Sequence, residues 1–264
     1  MTDTGRIVAV TGASSGIGLA AARLFRDRGD KVYCLSRTDP KEPGITFIHT
    51  DVTDEASVNA AFGAIGKAEG RIDVLLSNAG IGVSGAAECT TMQDAKRQLD
   101  VNFFGLHACV RAAVPLMRAH GGTILATSSV AAVFAIPFQA FYSASKFAVN
   151  ALVLALANEL KPFNIRVAAI MPGDVKTGFT GARVKADSDD NYGQSVEKSV
   201  AVMEHDEQNG MGPEMIAKRF VALSLKKHPK VLSTVGLQYK FFCFLGKVLP
   251  IRLQNFIVGK MYIK

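Results

Sequence analysis

A chain of 264 residues, 48% hydrophobic and 20% charged, can bury one large core and is compositionally neither disordered nor fibrous. A formal charge of +7 and an isoelectric point near 9.3 raise anionic partners, but with no basic tract of five residues and no Trp, a polynucleotide is not expected. Cys34, Cys89, Cys109 and Cys243 form no C-x-x-C pair, and the histidines lie near no second ligand, so reduced cysteines and no metal are expected.

The apolar, β-branched run 6–10 predicts a strand, and Thr11-Gly12-Ala13-Ser14-Ser15-Gly16-Ile17-Gly18 follows it directly. An amphipathic stretch, 19–28, predicts a helix that stops at Gly29. Strand, glycine turn and helix in this order suit a nucleotide pyrophosphate. Gly12 can turn tightly, and Gly16 and Gly18 let backbone approach a ligand or a neighbouring strand. The first N–H groups of the helix and its dipole then face the anion. A glycine turn without a ligand is the plainer alternative, and the spacing is Gly-x-x-x-Gly-x-Gly rather than Gly-x-Gly-x-x-Gly. The apolar run before the turn is shorter than the ~7–15 residues of a secretory leader core, so a cytoplasmic location is expected.

Strands are predicted over 31–36 and 45–48, with only residues 37–44 between them. Pro40 and Pro43 make that link an extended loop. Asp54 caps a helix running to about residue 67, and a strand over 73–77 leads into Asn78-Ala79-Gly80. One long helix is predicted over 92–120, with Gly105 inside it and Gly121-Gly122 ending it. A strand over 123–127, a helix over 142–161 and strands over 165–170 and 231–236 complete the alternation. The polar stretch 174–212, acidic at 187–190, reads as a mobile lid or a surface excursion.

This order predicts an α/β fold: one doubly wound, Rossmann-type domain over 1–236, with about seven parallel strands and helices on both faces. Ligands belong at the carboxyl ends of its strands, where every glycine or hydroxyl motif above falls.

Tyr142 and Lys146 lie one helical turn apart in Tyr142-Ser143-Ala144-Ser145-Lys146. A cation one turn from a phenol favours the phenolate and brings its proton into useful range. The same pair also occurs on ordinary solvated helix faces. Thr11–Gly18, Asn78-Ala79-Gly80, Asn102, Ser129, Tyr142-x-x-x-Lys146 and Pro172-Gly173 together resemble the short-chain dehydrogenase/reductase family, in order and spacing, over essentially the whole chain.

The resemblance implies hydride transfer between a nicotinamide cofactor and a carbonyl carbon. Tyr142 would be the general acid or base, Ser129 would hold the substrate oxygen, and Lys146 would lower the tyrosine pKa and bind ribose hydroxyls. Asn102 would hold helix geometry and a water linking Lys146 to solvent. Gly12, Ser14, Ser15, Gly16, Ile17 and Gly18 would cradle the dinucleotide, with Asp51 and Val52 at the adenine and Asn78, Ala79 and Gly80 along its centre. Pro172, Gly173, Val175 and Thr177 would pack on the nicotinamide. Asp51 serves equally well as a turn cap.

The residue after the second strand discriminates between cofactors. Ser36-Arg37-Thr38 puts a guanidinium where a carboxylate would repel a 2′-phosphate, so NADP(H) is expected, with Arg37 the main contact and Lys41 a second. A solvated surface arginine is the alternative. Val133, Phe134, Ile136, Pro137 and Phe138 suggest an apolar substrate pocket, although core packing suits each of them as well.

The extension 237–264 is rich in Phe, Leu, Ile and Val, but Lys240, Lys247, Arg252 and Lys260 interrupt it below the ~18 residues a bilayer span needs. Pro250 splits it into two amphipathic pieces resembling the ending of steroid- and retinol-type members. It docks on its own domain or a dimer partner, covers the substrate pocket, or touches a membrane surface. A homodimer is expected. The expected substrate is a small hydrophobic ketone or secondary alcohol, steroid-, retinoid- or lipid-like. A broad-specificity carbonyl reductase and a non-catalytic NADP-sensing regulator are the alternatives.

Overall fold

In the computed structural model, residues 5–186 and 190–263 are described; the acidic residues at 187–189 lie outside them. The first half alternates β1 (Ile7–Thr11), α1 (Gly16–Asp27), β2 (Lys31–Ser36), β3 (Ile45–His49), α2 (Glu55–Glu69), β4 (Val74–Ser77) and a two-residue β5 (Val83–Ser84). There follow α3 (Met92–Leu99), α4 (Gly105–Met117), β6 (Gly122–Thr127), α5 (Ala140–Glu159) and β7 (Ile165–Met171). The rest is β8 (Val184–Lys185), α6 (Ser195–Gln208), α7 (Pro213–Ser224), β9 (Leu232–Thr234), α8 (Leu237–Val248) and α9 (Ile251–Tyr262).

Seven strands form one parallel sheet in the order β3-β2-β1-β4-β6-β7-β9. Successive side chains of a strand point to opposite faces, and both faces here are covered, which is why the strands read as unbroken apolar runs. Ile7 and Ala9 of β1 join the core under α2, α4 and α5, while Val8 and Val10 join the one under α1 and α7. Reversal of strand order between β1 and β4 opens the crevice where such sheets bind ligands.

The loop 37–44 is free of helix, as its prolines dictate. Glu42 ties it to α1 by pairing with Arg23 and Arg26, and Arg26 Nη1 also donates to the Pro43 carbonyl at 2.9 Å. Asp54 caps α2 by accepting from Ala56 N at 2.9 Å, and Gly70 closes that helix at φ 71°.

The single helix predicted over 92–120 is instead two helices joined by a π-turn, Asp100–Phe104, in which Gly105 N donates to the Asp100 carbonyl. The wider turn is a tertiary effect: a Cβ on Gly105 would stand 2.8 Å from Val52 Cγ2, so helix and loop meet closely there. A second, two-stranded sheet, β5–β8, pins the 174–212 segment to the end of β4 and was not foreseen.

Candidate active site

A cleft of about 960 Å³ runs along the carboxyl ends of the central strands. Its wall carries Gly12, Ser14, Ser15, Gly16, Ile17, Arg37, Asp51, Val52, Asn78, Ala79, Gly80, Ser129, Tyr142, Lys146, Pro172, Gly173, Val175 and Thr177. Gly18 and Asn102, also expected at the site, stand behind the wall.

Gly18 serves the close approach of neighbouring strands that was expected of it. A Cβ there would lie 2.3 Å from the Gly12 carbonyl oxygen and 2.6 Å from Asn78 Nδ2, so its bareness lets α1 start against β1 and β4. Gly12 and Gly16 have φ of 62° and 53°, conformations that favour glycine. No side chain caps the N-terminus of α1, and its first turn holds no carboxylate. Unpaired N–H groups and the positive dipole end therefore face the cleft, the arrangement a pyrophosphate needs.

Asn78 ties three strand ends together. Its Nδ2 donates to the Thr11 and Gly12 carbonyls at 3.4 and 3.3 Å, and its Oδ1 accepts from Thr127 Oγ1 at 3.0 Å. Asn102, on the π-turn, is buried: its Oδ1 accepts from Ile81 N at 2.9 Å, and its Nδ2 donates to Ser145 Oγ at 3.0 Å. It thereby locks α5 against the loop after β4, one residue before Lys146. Gly80 sits close to both groups: a Cβ there would stand 3.3 Å from Asn102 Oδ1, a tight contact, and 3.8 Å from Lys146 Nζ.

Tyr142 and Lys146 project from the first turns of α5. Lys146 is buried, its Nζ donates to the Thr127 carbonyl at 2.9 Å, and it sits 5.6 Å from the Tyr142 ring centre. Burial pushes this ammonium down to about 8. The Tyr142 phenol, also desolvated, is pushed up to about 12, against the pull of a hydrogen bond from Ser129. The expected lowering of the tyrosine is thus not seen: desolvation dominates, and the phenol is held in its acid form. Ser129 Oγ accepts from Ala131 N at 3.1 Å, which leaves its proton for Tyr142 or a substrate oxygen. The neighbouring Ser128 is buried, with Oγ turned toward the Lys146 carbonyl at 3.5 Å.

At the other end of the cleft, Arg37 is exposed beside Asp51. Burial works against the Asp51 carboxylate, yet bonds from Thr53 N and Oγ1 at 2.9 and 2.8 Å, with the charges of Arg37 and His49, hold it below the usual range. Lys41, expected as a second phosphate contact, does not line the cleft; its backbone N–H donates to Asp39 Oδ1 at 2.8 Å.

Of the five apolar residues singled out between Ser129 and Tyr142, Phe134 and Ile136 line the cleft. Val133 packs instead toward Gly246 of α8, and Phe138 stacks edge-on to Tyr192, with ring centres 5.9 Å apart. Phe179, on the 174–212 segment, lies 5.9 Å from Tyr142 ring to ring. Met211 closes the base of that segment, its N donating to the Asp174 carbonyl at 3.0 Å and its carbonyl accepting from Lys176 N at 2.9 Å.

The tail, for which the sequence left three alternatives, covers the cleft. Tyr239, Phe242, Leu245 and Leu249 of the α8 region and Gln254, Ile257, Val258, Met261 and Tyr262 of α9 form one wall of the cleft. Tyr239 anchors it by donating its hydroxyl to Asp174 Oδ2 at 2.7 Å. Only amphipathic spacing hinted at this, and such spacing names no partner.

The chain matches the short chain dehydrogenase family over residues 6–188 and belongs to it. It is 38% identical to a 3-ketodihydrosphingosine reductase of Bacteroides thetaiotaomicron over 236 residues, 88% of each chain. A short-chain dehydrogenase from Streptomyces avermitilis superposes with a TM-score of 0.86 at 26% identity, covering 98% of both chains. A 3-ketoacyl-(acyl-carrier-protein) reductase from Brucella melitensis, complexed with NADH, superposes at 0.74 with 25% identity, covering 88% of this chain and 96% of that one.

Proposed function

We propose that this protein is an NADP-dependent oxidoreductase that interconverts a hydrophobic ketone and its secondary alcohol, with a long-chain lipid ketone the foremost substrate. One observation carries the reading: Ser129, Tyr142 and Lys146 share one cleft with an uncapped helix N-terminus and with Arg37. Residues 12–17 would hold the pyrophosphate, Arg37 a 2′-phosphate, and Lys146 ribose hydroxyls. When bound, the nicotinamide supplies or accepts hydride.

The chain's own groups manage the proton. Ser129 donates to the substrate oxygen and Tyr142, kept protonated by burial, delivers its proton there in reduction. Lys146, when charged, stabilises the phenolate left behind. Phe134, Ile136, Phe179 and Phe242 supply apolar walls for an alkyl chain. The similarity to a 3-ketodihydrosphingosine reductase, which extends over 88% of the chain, supports a lipid ketone. A purely cofactor-sensing regulator would have no use for Asn102, Ser129, Tyr142 and Lys146 together.

The test is consumption of NADPH or NADH with long-chain ketones, steroids, retinoids and simple aldehydes. Turnover favouring NADPH and a long-chain ketone is expected; no turnover with any carbonyl would overturn the reading.

A further inference from the structure

Charge is divided unevenly along this chain. After Glu214 no acidic residue occurs, and ten of the 30 Lys and Arg fall in residues 215–264, which leaves 20 basic against 23 acidic residues before them. The net positive charge is therefore a property of the C-terminal part alone. Lys240, Lys247, Arg252 and Lys260 are exposed there, and none has an ion-pair partner among the described residues.

The same two helices are apolar on both sides. Their inner faces line the cleft, yet Leu237, Phe241, Phe244 and Val248 of α8 are 84%, 58%, 57% and 56% exposed. Steps of four, three and four residues put these side chains on one line along the helix. Ile251 and Phe256 of α9 extend the surface at 68% and 61% exposure. Ile257 and Met261 line the cleft and are also 39% and 44% exposed, so the cleft and the outer apolar surface meet at these residues.

We propose that α8 and α9 seat this protein on the surface of a bilayer containing anionic lipids, and that the cleft receives its apolar substrate across that contact. Phenylalanines flanked by unpaired lysines match acyl chains beneath negative headgroups. A second copy on the same surface would bring the lysines and arginines of both copies together, which like-charge repulsion opposes. Each helix has 12 residues, about 18 Å, too short for the ~30 Å hydrocarbon core, so the helices lie on the membrane and do not cross it. Among the described residues the one helix long and apolar enough for crossing is α5, and it packs on β7 and carries Tyr142 and Lys146. Delivery of substrate rests on the activity proposed above; seating on the bilayer does not.

The experiment is co-sedimentation of the full chain with phosphatidylcholine vesicles, with and without phosphatidylglycerol. Binding about tenfold or more stronger with the anionic lipid, weakened by salt, is expected. Phe241→Ser with Phe244→Ser, and separately Lys240→Glu with Lys247→Glu, should each cut binding about tenfold while NADPH-linked turnover of a short soluble ketone is kept. Equal binding to both vesicles, no binding, or binding that both double variants retain would overturn the proposal. So would analytical ultracentrifugation showing a dimer that the phenylalanine variants dissolve. A chain that turns over soluble ketone but ignores vesicles defeats only the membrane proposal. One that binds vesicles but reduces no carbonyl defeats only the activity.

Discussion

The ring of Tyr239 lies flat against the bare Cα of Gly173: a Cβ placed there would stand 2.0 Å from Tyr239 Cε1. Gly173 follows β7 at the heart of the cleft, and Tyr239 opens the tail, so this contact and the Asp174 hydrogen bond make tail and site one structure.

Gly173→Ala tests that coupling. The added methyl must displace the Tyr239 ring, and overpacking of this kind costs about 1–3 kcal/mol. The variant is expected to melt earlier and to lose residues beyond Gly236 faster to trypsin, with a higher KM for long-chain ketones than for short ones. A tail as resistant as that of the parent protein would show that the contact does not hold it.

Tyr142→Phe removes one hydroxyl and keeps the ring that packs 5.9 Å from Phe179. Folding and cofactor affinity should stay close to those of the parent, because neither needs the phenol. Loss of a positioned proton donor costs roughly 10²- to 10⁴-fold in rate. Steady-state NADPH consumption and a cofactor fluorescence titration read the two effects separately. Turnover within tenfold of the parent would remove Tyr142 from its role.

Arg37→Ser addresses the cofactor. A charge-assisted hydrogen bond to phosphate contributes about 1.5–3 kcal/mol, so kcat/KM with NADPH should fall roughly 10- to 150-fold while the NADH value changes little. If both cofactors lose equally, the guanidinium supports the loop and not the phosphate. A parent enzyme that already prefers NADH would remove the proposal outright.

Much of this site was visible in the chain because its determinants are local. A bare turn between strand and helix, a hydroxyl after β6 and a phenol one turn from an amine are each set by neighbours in sequence. Asn102 was found through the family resemblance, but its partners Ile81 and Ser145 depend on a π-turn that no residue pattern announces. Gly18 was read as serving both a ligand and a neighbouring strand, and the packing half is visible in the atoms it must clear, which belong to Gly12 and Asn78. The tail was read as three alternatives for the same reason: Tyr239 and Asp174 are 65 residues apart, and only folding shows that they meet. Desolvation of Tyr142 is likewise a property of the folded cleft, and it reversed the pKa expectation drawn from helical spacing alone.

Lys146 gives a pH signature that separates its charge from its packing. Its ordinary value of 10.5 is lowered to about 8 by burial, so between these values the unfolded chain holds a proton that the folded chain has lost. Stability rises with pH wherever the unfolded state binds more protons, so this group's contribution improves from about pH 8 upward and levels off above the unfolded value. Lys146→Met removes the titration, and the difference in Tm between parent and variant should therefore move in the parent's favour as pH is raised from 7 to 10. Taking the difference cancels other groups, including Tyr142, whose raised value acts in the opposite direction at higher pH. Activity should show the counterpart: ketone reduction by the parent falls as pH passes about 8, because the neutral amine no longer stabilises the phenolate. A Tm difference that stays flat from pH 7 to 10 would mean that the amine is not desolvated in the folded protein, and the alkaline limb would then need another owner.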